Sequence, residues 1–133
     1  MQVWITPDER GHAPQYGSTV VDEAARHNVL RHVLSGTGEA PAWTASSERP
    51  GVALHQDCNV FVSQCDAGHA LEVSLGADRQ AYLLCMEGSL HANDAQLAAR
   101  DAAEVVAGGA ALPVKLTAGG DGAHFMLIEM QQA

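Results

Sequence analysis

Cationic side chains are scarce in this chain of 133 residues: 7 Lys and Arg stand against 16 Asp and Glu, for a formal charge of −9. No basic run or face emerges, so a phosphate backbone finds nothing to grip and a nucleic-acid partner is not expected. Long apolar runs are missing too; none approaches the roughly 20 residues that a membrane-spanning helix needs. The first ten residues, MQVWITPDER, lack the basic start and apolar stretch of a signal peptide. Cysteine is rare, and Cys58, Cys65 and Cys85 show no C-x-x-C spacing. That argues against a disulfide framework and a structural zinc site. Also absent are the Gly-x-Ser-x-Gly elbow, the Walker loop and the dinucleotide fingerprint. A soluble cytoplasmic protein without membrane contact is the expectation.

What is present is a globular composition, 47% hydrophobic and 17% charged, long enough for one domain over residues 1–133 with a real core. Period-2 alternation dominates. Leu71–Leu75 (LEVSL) and Leu112–Thr117 (LPVKLT) read as half-buried strands, whereas Gln80–Met86 (QAYLLCM) and His124–Met130 (HFMLIEM) read as strands covered on both faces. Turns are predicted at Asp66-Ala67-Gly68, Gly76-Ala77-Asp78, Glu87-Gly88, Asn93-Asp94, Gly108-Gly109 and Gly119-Gly120-Asp121-Gly122. Short strands at this spacing predict an all-β sandwich or barrel, with at most one short helix near residues 21–27. Residues 35–51, rich in Gly, Pro, Ser and Thr, read as an exposed loop.

One stretch is more specific. His55-Gln56-Asp57 leads into a strand that turns at Asp66-Ala67-Gly68; Arg79–Leu83, Glu87-Gly88-Ser89-Leu90 and Asp101-Ala102-Ala103 follow. Their order and spacing resemble the C-terminal cupin of the pirin-like family, which includes bacterial quercetinases. Residues 1–18 are similar to the connector that follows the first cupin in such proteins. The resemblance implies a jelly-roll barrel, with Arg100 standing where the family commonly has a glycine and the corner there reshaped.

It also implies where a metal would go. Cupin enzymes hold Fe, Ni, Mn or Cu on two His, a Glu and a later His. Counted back from Glu87-Gly88, the first three positions fall at Ser74, Gly76 and Gln80, which offer no competent ligand set. The later His falls near Leu112-Pro113. The metal site therefore reads as degenerate, with neither metal cofactor nor catalytic residue expected. Seven histidines remain, among them His27 at a helix end, His91 in a hairpin turn, and His55 and His124 on or beside strands. Ordinary hydrogen-bonded roles suffice for them. Cys65 and Cys85 read as small core residues, and Cys58 beside Asp57 has a neighbour that raises a thiol pKa. Tyr82 and Phe61 read as core.

Three functions are open at this level. The first is a non-catalytic cupin domain that works in structure or oligomerisation, as a homodimer or on a separate N-terminal-type cupin chain; in the family, metal and any flavonol dioxygenase activity belong to that first cupin. The second is a quercetin 2,3-dioxygenase-like enzyme. The third is a small-molecule sensor with a barrel-mouth pocket formed by His55, Gln56, Tyr82, Met86 and His124.

Overall fold

The computed structural model describes residues 1–44, 50 and 52–133. Its elements are a single helical turn, α1 (Glu23–Arg26), then β1 (Arg31–Leu34), β2 (Cys58–Cys65), β3 (Ala70–Leu75), β4 (Arg79–Ala92), β5 (Ala95–Ala98), β6 (Ala102–Val106) and β7 (Leu112–Gln131). The domain is all-β, as the alternation predicts. Within 21–27 only four residues form helix: Asp22 caps them by accepting from the Ala25 amide at 2.8 Å.

Two long strands organise everything. The first half of β7 pairs antiparallel with β3, from Leu112↔Leu75 to Thr117↔Ala70, and its second half with β2, from Ala123↔Cys65 to Met130↔Cys58. Along its other edge β7 keeps β4 for most of its length, while β4 adds β6 to its first half and β5 to its second. β1 extends β2. Bent strands shared in this way fold the sheet over on itself, so alternate residues point into a common interior.

The bends fall on glycines, and here the pattern misleads. Glu87-Gly88 and Gly119–Gly122 are not turns; β4 and β7 run straight through them. The pairing register slips between Cys85 and Glu87 and again between Gly88 and Leu90, so these are bulges. Gly88 and Gly122 both adopt φ near +76°. A Cβ on Gly88 would strike the Gly122 carbonyl. Glycine marks both turns and bulges, and only the partner strand separates the two readings. His91 lies in β4 and not in a turn, while the turn predicted at Asn93 and Asp94 is present. At the next corner Arg100 holds φ +78°, the backbone a glycine would take; the corner is kept and the side chain bears the strain.

Most of the interior is apolar. Phe61, Leu83, Leu90 and Phe125 have no exposed surface, and Val73, Leu75, Ala81, Leu116 and Leu127 join them. Burying a phenylalanine fully contributes about 2–3 kcal/mol. The described part of residues 35–51 departs from an exposed loop. Ser35 and Gly36 are buried, and Trp43 rests on Phe61 with ring centroids 4.7 Å apart while its Nε1–H donates to the Ser74 carbonyl at 3.0 Å. One aromatic anchor outweighs the turn-rich composition around it. Residues 45–49 and 51 lie outside the described residues.

Candidate functional site

The chemistry of this domain sits on opposite faces of the same strands. On the inner face, at one end of the barrel, five charged or polar side chains converge. Asn59 of β2 and Glu129 of β7 are register partners whose parity matches Phe61 and Leu127, so both point inward. Arg79, the first residue of β4, joins Glu129 to Asp57. Its Nε donates to Glu129 Oε1 at 2.5 Å, and its Nη1 and Nη2 donate to the two Asp57 oxygens at 2.5 and 3.0 Å. Asn59 Nδ2 donates to the other Glu129 oxygen at 3.1 Å, and Asn59 Oδ1 accepts from His32 Nε2 at 3.0 Å and from the Gly36 amide at 3.3 Å.

Fork-shaped donation to two carboxylates is the strongest geometry a guanidinium has. The Glu129 hydrogen bond, joined by Asp57 and opposed by burial, holds the Arg79 pKa above its ordinary value. Next to the cluster, burial and then the Glu129 and Asp57 charges push the Cys58 thiol up to about 11, with Arg79 opposing. A thiol that stays protonated is no nucleophile at neutral pH.

The outer face of the same sheet is open and apolar. Cys58, Val60, Met126 and Ile128 form a second cluster, with Leu84, Met86 and Met130 packed against it. The N-terminal segment crosses this face and leaves a groove of about 920 Å³ lined by Trp4, Gln56, Tyr82, Met126, Ile128 and Met130, among others. Met1 lines it as well, so every methionine of the chain lies on or beside this face. The segment is clasped further along: Asp8 accepts from His12 at 2.8 Å, which lowers the Asp8 pKa, and the His12 and His55 rings stack at 3.9 Å. Gln56 Nε2 donates to the Thr6 carbonyl at 3.0 Å.

The positions named from sequence land in different places. Gln56 and Tyr82 share the outer groove. Tyr82 is 42% exposed and not core, because β4 is covered on its inner side and open on its outer one. His55 lines a neighbouring hollow beneath the N-terminal segment, together with Gln56. Met86 packs in the outer cluster. His124 stands apart, beyond the middle of β7 beside Glu87 at 3.8 Å, its pKa lowered by burial and by Arg26. Ser74 and Gly76 are exposed and Gln80 faces the outer groove; the inward positions on these strands are Val73, Leu75, Ala81 and Leu83. A count displaced by one residue changes the face of a strand. The charged cluster escaped the sequence reading, although Glu129 gave a signal: a carboxylate buried inside HFMLIEM needs a polar or charged partner.

A family model described as the quercetinase C-terminal cupin domain matches residues 44–130. The chain belongs to this family. It is 34% identical over 102 residues to a Pseudomonas aeruginosa protein that carries the name "Putative quercetin 2,3-dioxygenase PA1210", covering 75% of this chain and 40% of that protein. A pirin-like protein of Caulobacter vibrioides is 29% identical over 104 residues, covering 78% of this chain and 41% of its own. The chain thus spans about two fifths of these curated relatives. Among solved structures, Escherichia coli YhhW superposes with a TM-score of 0.77 at 17% identity, over 98% of this chain and 49% of that one. A second structure of that protein, in complex with nickel(II), gives 0.76 at 16% identity, over the same shares. At such identities the likeness shows the cupin fold and no more.

Proposed function

We propose that this chain is a metal-free cupin domain whose work is assembly: the outer face of its β2–β7–β4 sheet docks a second cupin domain. The observation that carries this reading is where the free space lies. Between Val73, Leu75, Ala81, Leu83, Val105, Val114, Leu116 and Leu127 there is no room for a water molecule, so a substrate has nowhere to go among them. A transition ion does not fit the residues present either. Its inward-facing neighbours would be apolar, and the inward carboxylates are already held by Arg79. Among the described residues no three His, Cys, Asp or Glu side chains are grouped to hold an ion. Free space lies outside instead, on a face of Trp, Tyr and Met side chains suited to a protein partner. The relatives, more than twice as long as their matched portion, support a second domain as the occupant.

Sedimentation velocity tests it. A concentration-dependent dimer of this chain identifies a second copy as the partner. A monomer that forms a 1:1 complex with a separately produced N-terminal-type cupin identifies a different chain. A monomer indifferent to both overturns the assembly reading, and near-stoichiometric Fe, Ni, Mn or Cu in untagged protein overturns the metal-free one. The dioxygenase alternative draws on the names of relatives; loss of quercetin absorbance on incubation with the metal-supplemented chain would establish it. The sensor alternative would show as thermal stabilisation by flavonols or small carboxylates.

A further inference from the structure

We propose that Arg79 is the resident cation of the barrel: its guanidinium fills the place between Asp57 and Glu129 that a hard divalent ion would otherwise take, and so keeps this cupin metal-free. The inference rests on the metal-free reading above and gives it a cause. Metals bridge strands by drawing anionic ligands from each to a single positive centre. Here one positive centre draws on Asp57 ahead of β2 and on Glu129 of β7 from its own place in β4, and Asn59 and His32 extend the tie to β1. The cluster is open enough to exchange ions: the side chains of Arg79 and Asp57 are 19% and 28% exposed, against 5% for Glu129.

The donor chemistry states which ion competes. Both contacts are carboxylate oxygens. The Asn59 amide nitrogen donates to Glu129 and its oxygen accepts from His32 and Gly36, so neither atom is turned to a cation. The Cys58 thiol is protonated at neutral pH. Two carboxylates and no committed imidazole suit Mn²⁺ or Ca²⁺, which accept oxygen ligands and keep part of their water, better than ions that favour nitrogen. The residue that excludes the metal is thus a third charge and not a missing ligand.

The test is Mn²⁺ binding, followed by calorimetry and by the Mn²⁺ electron spin resonance signal, on wild type, Arg79→Met and Arg79→Lys. Wild type and Arg79→Lys are expected to take up none, because each keeps a cation between the carboxylates. Arg79→Met is expected to bind one ion and to gain about 3 °C or more in melting temperature at ten times the dissociation constant. Adding Glu129→Gln should weaken that binding at least tenfold. A variant too unstable to purify should refold with Mn²⁺; failure with and without the ion overturns the proposal. So does a folded Arg79→Met that binds nothing, uptake by Arg79→Lys, or wild-type uptake abolished by Glu129→Gln. Wild-type metal held at other residues would instead sink the metal-free reading, while Mn²⁺ uptake by Arg79→Met would still support the role of Arg79.

Discussion

Inner and outer faces of β2, β4 and β7 are written by alternate residues of the same three strands, yet they obey different rules. Inside, Phe61, Leu83, Phe125 and Leu127 are buried in one core cluster, and the charged cluster at its end is tied by its own hydrogen bonds. Outside, Tyr82, Met126, Ile128 and Met130 line a groove partly roofed by an N-terminal segment without helix or strand. The inner face has finished its interactions within the chain and the outer one has not. Where Val73, Leu83 and Leu127 leave no room for a water molecule between them, the space open to other molecules lies on the outer face.

Substitutions can break that comparison, beginning with the interior. Phe61→Ala opens a cavity under Trp43 and His32 and should cost about 4 kcal/mol, read as a fall in the urea midpoint. A loss under about 1 kcal/mol would mean that the interior is not close-packed there. Next comes pH. The Cys58 thiol, raised from 9.0 to about 11, favours the native state while both states are protonated. As pH climbs from 9 the unfolded chain ionises first, so stability should fall, by on the order of 2 kcal/mol, until the native thiol also ionises near 11. Cys58→Ala should flatten that part of the profile, and an unchanged slope would remove the cysteine from the account. The outer face should give the smallest effect on stability. Tyr82→Glu is expected to change unfolding free energy by less than about 0.5 kcal/mol while abolishing association in sedimentation. A destabilised monomer would place Tyr82 in the fold rather than in an interface.

Much of this was readable from residue order. Alternation located the strands, and the run from His55 to Ala103 carried the family. What alternation could not give was handedness of face: Tyr82 reads like Leu83 in QAYLLCM until β6 and β7 define an inside. Nor could it separate a bulge from a turn at Gly88 and Gly122, since a positive φ serves both. The Arg79 cluster is assembled across 22 residues in one direction and 50 in the other. No local pattern encodes such a meeting, although the lone Glu129 among apolar neighbours hints at it.

β7 has a consequence for how the domain is made. It is the last strand in the sequence and pairs with β2, β3 and β4 at once. During synthesis the earlier strands must wait, exposed and without their central neighbour, until residue 131 has left the ribosome. Contacts that close over such distances form slowly, and unpaired strand edges attract one another meanwhile. Expression of this domain should therefore depend on chaperone supply more steeply than its size alone suggests.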